Sequence, residues 1–302
     1  MTSPPEKMTR QGRVFRWLLG ALGRLSLPAN RRFARFVGWL FRTLPNRTHR
    51  VAERNVAACF PDLSEAEQKA LVDDTMRQIG YGFLELPLFW RQPQEDTFSL
   101  IRTIHGNEYF QEAIAAGEGV LVIAPHLGAW ELLCQWLTAQ APSTFLYREP
   151  KDPGIAKIVT DSRERLGGEL VRAGGPGVRR LFKALREGRM VGMMPDQQPK
   201  RGQGEFAPFF GHQALTMVLP SKFLQRTRVP AVLAYAERLP DARSFDLHLV
   251  PVDEALRSAD LSESVAAINR QVEALVRTIP AQYQWGYKRF SMRPEGEPPF
   301  YD

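Results

Sequence analysis

The sequence has little cysteine and no long apolar run, and both absences limit what the protein can be. Only 2 of its 302 residues are cysteine, and neither takes part in a metal-binding or redox pattern. A disulfide framework is therefore not expected, which suits a cytosolic environment. No stretch reaches the roughly 18 apolar residues that a membrane-spanning helix needs. The longest apolar run near the amino terminus, 17–23, lies between two arginines and is also too short to predict a signal peptide.

Two common catalytic signatures are missing as well. The sequence has no Gly-X-Ser-X-Gly motif, which argues against a serine hydrolase. It also has no cluster of histidine, cysteine and acidic residues with the spacing of metal ligands. We therefore expect neither a metal nor another cofactor.

The positive charge of the protein is concentrated at its amino terminus. The whole chain has a net charge of +7. Residues 1–54 contain twelve basic residues and two acidic ones, a net charge of +10, so the other 248 residues carry −3. The basicity therefore belongs to one segment and not to the whole protein.

The same segment has an amphipathic, aromatic-rich pattern. Its apolar positions are Phe15, Trp17, Leu18, Leu22, Phe33, Phe36, Trp39 and Leu40. Segments of this kind lie in the headgroup region of a membrane, with arginines on lipid phosphates and aromatic rings at the acyl boundary. Two ordinary core-packing helices and a nucleic-acid-binding arm are the alternatives. We expect an anionic membrane surface as the partner, and no nucleic acid.

The hydrophobic pattern divides the chain into three parts. Residues 1–12 are polar and predicted to be disordered, and 13–97 are predicted to form an all-helical, membrane-associating region. From 98 to 302, strands and helices alternate, which is typical of an α/β domain. Either the boundary near 97 separates two domains or the helical part packs on the sheet.

The predicted elements define the fold class more closely. The α/β part is predicted to be a mostly parallel mixed sheet flanked by helices, with the last two strands antiparallel. The predicted strands are 100–104, 118–124, 143–147, 168–172, 189–194, 229–236 and 244–251. The predicted helices are 14–26, 29–43, 47–59, 64–91, 107–116, 128–140, 152–166, 176–187, 214–227 and 261–278.

The most informative motif is the hexapeptide 126–131, His-Leu-Gly-Ala-Trp-Glu. It lies between a predicted buried strand and an apolar helix. His126 at the carboxyl end of the strand and Glu131 in the first turn of the helix are expected to meet in the crevice where open α/β sheets bind ligands. The carboxylate would orient the imidazole so that His126 takes a proton from an alcohol. Amides at the start of the helix, or an arginine, would hold the oxyanion that forms.

Other polar residues follow strands or end helices on the same side of the sheet. Arg148 follows the third strand, Arg163 and Arg165 end the next helix, and Asp196 and Gln197 follow the strand 189–194. As substrate-binding groups, the arginines would provide bidentate donors for a phosphate, and Asp196 would hold an arginine or a sugar hydroxyl. The alternatives are cations that stabilise a helix end and an aspartate that forms a turn.

Several further motifs occur in a fixed order along the chain. They are Arg54-Asn55, Cys59-Phe60-Pro61, Tyr147-Arg148-Glu149-Pro150, Pro195-Asp196-Gln197, Phe209-Phe210-Gly211, 280–285, Lys288-Arg289-Phe290 and 293–296. Together with the His-X4-Glu motif, this series resembles the late acyltransferases of lipid A biosynthesis, of the lauroyl and myristoyl transferase type. The resemblance covers about 14–297. One departure is Tyr287, where relatives often have a histidine.

The resemblance implies an O-acyltransferase that moves a fatty acyl chain from acyl carrier protein to a hydroxyl of a lipid A precursor. It implies a position on the cytoplasmic face of the bacterial inner membrane, peripheral or monotopic. A transferase acting on another glycolipid or on a glycerophospholipid is the nearest alternative. A basic membrane-binding protein without catalysis is an alternative of another class.

Overall fold

The computed structural model describes residues 8–241 and 243–301. The predicted disordered tail, 1–12, lies mostly outside these residues. Its predicted boundary at residue 12 is wrong, because a helix begins at Arg10. The Thr9 hydroxyl accepts a hydrogen bond from the amide of Gly12 and donates one of 2.7 Å to Asp152. A side chain that satisfies a free amide fixes the start of a helix, and the Asp152 contact also ties this end to the α/β part.

The amino-terminal part is helical, as predicted. Its fourth helix begins with a capping box, in which Ser64 and Glu67 satisfy each other's backbone amides. The helices are α1 (Arg10–Leu22), α2 (Leu27–Thr43), α3 (Arg47–Cys59), α4 (Glu65–Arg91) and the short α5 (Gln94–Phe98). Within the described part of the chain, no helix is long and apolar enough to cross a bilayer.

The rest of the chain alternates strands and helices. The strands are β1 (Ile101–His105), β2 (Val120–Ile123), β3 (Ser143–Tyr147), β4 (Glu169–Arg172), β5 (Met190–Met193), β6 (Gly204–Phe209), β7 (His212–Met217), β8 (Ala231–Arg238) and β9 (Phe245–Pro251). The helices are α6 (Asn107–Ala115), α7 (Trp130–Gln140), α8 (Pro153–Glu164), α9 (Gly175–Arg186), α10 (Leu219–Arg226) and α11 (Leu261–Thr278). Two 3₁₀ turns, Glu254–Arg257 and Pro280–Gln282, complete it.

Seven of these strands form one sheet in the order β1-β9-β8-β2-β5-β3-β4. All neighbouring pairs are parallel except β8 and β9, which are antiparallel. The predicted mostly parallel mixed sheet and its antiparallel final pair are therefore confirmed. The centre of the sheet, β2 and β5, is fully buried, as expected for strands covered by helices on both faces.

A separate hairpin, β6 and β7, differs from the prediction. The sequence pattern predicts a helix over 214–227, but 214–217 pair with 204–207 in an antiparallel ladder and only Leu219–Arg226 is helical. Phe210 and Gly211 connect the strands with positive φ angles of 48° and 76°, the conformation of tight hairpin turns. Pairing with the preceding strand outweighed the local apolar spacing, because that spacing fits a strand as well as a helix.

The helical part and the sheet share one hydrophobic core. A single cluster of buried side chains includes Val56 and Met76 from α3 and α4 and Leu121 and Val191 from the central strands. Helices α2 and α4 can cross closely because Gly38 and Gly80 have no side chain. A Cβ at either position would overlap the backbone of the other helix. The helical part therefore packs directly on the sheet, and α4 forms one wall of the site described next.

Candidate active site

The register of the two central strands brings His126 and Asp196 together. Ile123 of β2 pairs with Met193 of β5, and each chain continues for three residues beyond that pair. The Ala124 amide still donates to the Met193 carbonyl at 3.0 Å, so the two segments leave the sheet side by side. The carboxyl ends of neighbouring parallel strands form the usual ligand crevice of an α/β sheet.

The imidazole of His126 is fixed by hydrogen bonds at both of its nitrogens. Nδ1 lies 2.8 Å from Asp196 Oδ1, and the backbone amide of His126 donates to Oδ2 of the same carboxylate at 2.9 Å. Nε2 lies 3.2 Å from the amide nitrogen of Gln197, which also donates to Gln284 Oε1 at 3.0 Å. An ionised carboxylate only accepts hydrogen bonds, so the proton lies on Nδ1. Nε2 therefore carries the lone pair, which accepts the Gln197 hydrogen bond and can act as a base once a hydroxyl takes the place of that amide.

Asp196 is buried and remains ionised. Burial raises the pKa of this carboxyl, but the charge of His126, the two hydrogen bonds from that residue and the Arg289 guanidinium together lower it below its ordinary value of 3.8. The carboxylate is therefore negative throughout the physiological pH range. A negative group at Nδ1 both selects the tautomer and stabilises the imidazolium that forms when Nε2 takes a proton.

The structure corrects the predicted pairing of His126 with Glu131. Glu131 is buried in the first turn of α7, but its oxygens accept hydrogen bonds from Arg163 and, at 3.1 Å, from Trp90 Nε1. Asp196, which we expected to hold an arginine or a sugar, takes the place at Nδ1. Glu131 nevertheless lines the same cleft as His126.

The predicted arginines have different positions. Arg163, which is half-buried, forms an ion pair with the buried Glu131, and its guanidinium lies 5.4 Å from the centre of the Trp130 ring. Arg165 donates to the carbonyls of Gln92 at 2.9 Å and Phe89 at 3.3 Å, so it satisfies the carboxyl end of α4. Arg148 is exposed after β3 and is not among the described residues that line the cleft.

The loop between His126 and α7 is held by backbone contacts. The amide of Gly128 donates to the Gln282 carbonyl at 3.0 Å, and that of Ala129 to the Ala236 carbonyl at 2.7 Å. Gly128 has a φ of +67°, and a Cβ there would lie 1.8 Å from the Ala236 oxygen. Only glycine fits this position. These two amides are not free for an oxyanion, but α7 begins at Trp130 without a side-chain cap.

A buried ion triad fixes the other side of this loop. Glu85 of α4 binds Arg31 of α2 at 2.7 Å and Arg238 at the end of β8 at 2.8 Å. Arg238 also donates to the Gly128 carbonyl at 3.0 Å. Burial raises the pKa of Glu85, but the two guanidinium groups outweigh it and hold the pKa below the ordinary 4.5. This triad was not predicted from the sequence. Its only signal there is Glu85, a charged residue within the apolar end of a predicted helix.

These elements enclose a cleft of about 150 Å³. One wall is α4, with Ile79, Phe83 and Leu86, and the opposite wall contains His126 and Trp130. The residues 282–284 close the third side. The cleft is largely apolar and has the histidine at one wall, and an apolar lining with a few placed polar groups is typical of ligand sites.

The carboxyl-terminal motifs hold this third side in place. Asn55 donates to the carbonyls of Trp285 at 2.6 Å and Tyr287 at 2.9 Å. The Tyr287 hydroxyl accepts a hydrogen bond of 2.9 Å from the amide of Gln198. Tyr287 therefore connects the tail to the strand end next to Gln197.

A histidine–carboxylate pair beside an apolar cleft is an arrangement that enzymes with a general base use. The family model of the bacterial lipid A biosynthesis acyltransferases matches residues 8–292. The chain belongs to this family and is an acyltransferase.

Individual relatives agree with the family match. The chain is similar to the lipid A biosynthesis lauroyltransferase of Escherichia coli K12, with 26% identity over 256 residues, 84% of this chain and 83% of that protein. It is also 26% identical to the palmitoleoyltransferase of the same organism, over 88% of this chain and 86% of that protein. For the myristoyltransferase of that organism the identity is again 26%, over 89% of this chain and 82% of that protein.

Proposed function

We propose that the protein transfers a fatty acyl chain from acyl carrier protein to a hydroxyl of a lipid A precursor, with His126 as the general base. The observation that carries this proposal is the hydrogen bond between His126 Nδ1 and Asp196, which leaves Nε2 as the accepting nitrogen of a histidine that lines the cleft. The family supplies the acyl transfer and the lipid A acceptor. The donor follows from the resemblance described above.

The reaction needs one proton transfer in each direction. The acceptor hydroxyl replaces the Gln197 amide at Nε2 of His126 and gives up its proton as its oxygen attacks the thioester carbonyl. The tetrahedral intermediate then collapses, the carbon–sulfur bond breaks, and the imidazolium returns the proton to the thiolate. The products are the ester and the free thiol of the carrier. General base catalysis of this kind contributes about two to four orders of magnitude in rate.

The developing oxyanion is held by the amino end of α7. The first turn of a helix has amides without intrahelical partners and a partial positive charge, and no side chain caps this one. Trp130, whose ring lies 5.7 Å from that of His126 between centroids, is in this turn. Donors fixed in advance where negative charge develops are among the strongest contributions to catalysis.

Glu131 and Arg163 act as positioning residues. Their ion pair joins the first turn of α7 to α8, and the Trp90 hydrogen bond joins the same turn to α4. Burial lowers the pKa of the Arg163 guanidinium, but Glu131 outweighs this effect and raises it, so Arg163 stays protonated. Through these contacts the pair sets the orientation of the amides next to His126.

Attachment to the cytoplasmic face of the inner membrane is the second part of the proposal. The described amino-terminal helices expose large aromatic side chains, including Trp17 at 69%, Phe36 at 50% and Trp39 at 49%. Phe36 stacks between Phe33 and Trp39, with centroids 6.3 Å and 5.8 Å away. An exposed aromatic row among arginines is typical of a helix that lies in a membrane interface.

The test is acyl transfer by the purified full chain in mixed micelles, followed by mass spectrometry of the acceptor. Acyl carrier protein thioester is the donor, and the acceptors are a lipid A precursor, lysophosphatidic acid and a neutral glycolipid. We expect the mass of one acyl chain to be added to the lipid A precursor, and no addition with His126→Ala. His105→Ala, which removes a histidine on β1, is the matched control. Acylation of another acceptor in preference would change the substrate, and no transfer with intact lipid binding would favour the non-catalytic alternative.

A further inference from the structure

A second pocket, separate from the cleft, lies between the start of α2 and the turn that joins β8 to β9. Its volume is about 300 Å³, and it is lined by Pro28, Arg31, Arg32, Arg35, Asp241 and Arg243. Four of the six lining residues are therefore arginines. The one acidic side chain, Asp241, accepts hydrogen bonds from the amides of Arg243 and Ser244 and from the Ser244 hydroxyl, so its oxygens are occupied in the turn and the lining keeps an excess of positive charge.

Arg31 is the unusual member of this group. Its side chain is only 5% exposed, and Nη1 binds Glu85. Among the described residues, Nε and Nη2 have no hydrogen-bond partner although both are buried. A buried guanidinium with two unsatisfied donors is costly unless a ligand completes its hydrogen bonds. The guanidinium is paired with Glu85 and lies 5.1 Å from the centre of the Tyr81 ring, so what it offers on the inner side of the pocket is these two unsatisfied N–H donors.

The outer arginines are free to bind as well. Arg32 and Arg243 are exposed, and within the described residues no hydrogen bond or ion pair involves either side chain. Arg35 is held by the Tyr81 hydroxyl at 3.3 Å, which uses only its Nε. Converging guanidinium groups bind the oxygens of a phosphate with paired, charge-assisted hydrogen bonds.

The surrounding surface indicates that the phosphate belongs to a lipid. Arg32, Arg35, Phe36 and Trp39 are spaced i, i+3, i+4 and i+7, so they lie along one face of α2. The aromatic rings on this face are the exposed row described above. A phosphate pocket at one end of a membrane-facing aromatic row has the arrangement that a phosphorylated lipid requires, with its headgroup above its chains.

We propose that this pocket binds the phosphate group of an anionic lipid. The inference rests on the proposed attachment to a lipid surface, and it adds a defined headgroup site. The phosphate comes either from a bilayer phospholipid or from the lipid acceptor itself. In both cases the phosphate completes the hydrogen bonds of Arg31. Glu85 binds both Arg31 and Arg238, and Arg238 donates to the Gly128 carbonyl in the loop after His126.

The experiment compares two double variants of the full chain. The site variant is Arg32→Gln with Arg243→Gln. The control is Arg24→Gln with Arg50→Gln, which removes the same charge from exposed positions outside the pocket. Neither pair removes a hydrogen bond of the described fold, and melting temperatures verify folding. The first arm measures sedimentation with phosphatidylcholine vesicles that contain phosphatidic acid or, at equal surface charge, oleic acid. The second arm measures KM for the phosphorylated acceptor in detergent.

If a bilayer phospholipid supplies the phosphate, the site variant binds phosphatidic acid vesicles about tenfold more weakly than the control does, and the two bind oleic acid vesicles alike. If the lipid acceptor supplies the phosphate, the site variant has a higher KM for the acceptor than the control has. The two variants then bind each kind of vesicle equally well. Equal behaviour of the two variants in both arms overturns the proposal. Failure of the acyltransferase proposal is recognised separately, because the vesicle arm needs no turnover.

Discussion

Replacing Asp196 by asparagine tests the histidine–carboxylate pair most sharply, because it keeps the size of the side chain and changes only its charge and hydrogen bonding. The carboxylate accepts from both Nδ1 and the backbone amide of His126, at 2.8 and 2.9 Å. An asparagine can accept at one oxygen only. With its oxygen on the backbone amide, its NH₂ group faces Nδ1 and requires a lone pair there. The imidazole proton then moves to Nε2, and the base is lost.

We expect kcat of Asp196→Asn to fall by about three to four orders of magnitude, which corresponds to about 4–5.5 kcal/mol of transition-state stabilisation. KM should change little, because Asp196 does not contact substrate in this account. The assay is initial-rate acyl transfer at saturating donor between pH 6 and 9, with the melting temperature of the same preparation. Gln198→Ala is a useful comparison, since it alters the same strand end without touching His126. A folded Asp196→Asn protein with more than a tenth of wild-type kcat would refute the assignment.

The other predictions concern the supports of the site and its membrane contact. Glu131→Gln should lower kcat about ten- to a hundredfold with KM nearly unchanged, because Arg163 loses its charged partner. Initial rates measured on a folded sample check this prediction. An unaltered kcat would show that Glu131 has no role in the site. Arg163→Lys and Arg163→Ala should fail to a similar extent if the paired guanidinium geometry matters, whereas an active but destabilised Arg163→Ala would indicate a purely structural role. Glu85→Gln should destabilise the fold by about 3–5 kcal/mol at neutral pH by leaving two buried arginines unpaired. Since the pKa of Glu85 is lowered in the fold, this contribution is present above pH 4.5 and is lost as the pH falls below it, so urea melts of wild type and variant should converge in acid. Replacing Phe36 and Trp39 by serine should weaken vesicle binding without a change in melting temperature, and unchanged sedimentation would place the membrane contact elsewhere.

The sheet was predictable because its strands carry a local signal. All seven strands of the main sheet overlap predicted strands, and the central ones, β2 and β5, are short apolar runs of the kind from which buried parallel strands are predicted. The hairpin β6–β7 was not found, because Ala214 and Leu215 fit an apolar helix face as well as a strand. Its real signal is Phe210-Gly211, a pair that adopts the positive φ angles of a hairpin turn.

The residues of the site were predictable individually, but their partners were not. His126, Glu131, Asp196 and Gln197 each follow a strand or begin a helix, which local patterns show. Which carboxylate contacts Nδ1 depends on β2 and β5 being neighbours and in register, a property of long-range strand pairing that a single sequence does not contain. For the same reason the link from Glu85 to Arg238, which are 153 positions apart, could not be foreseen.

The role of His126 in lipid A acylation can be measured in cells, by mass spectrometry of lipid A from strains that have the gene, lack it, or carry His126→Ala in its place. We expect lipid A from the deletion strain to lack one acyl chain, the wild-type gene to restore it, and His126→Ala not to restore it, although the variant protein is present at the same level in the membrane fraction. Full acylation in cells that carry only His126→Ala would show that His126 is not the base.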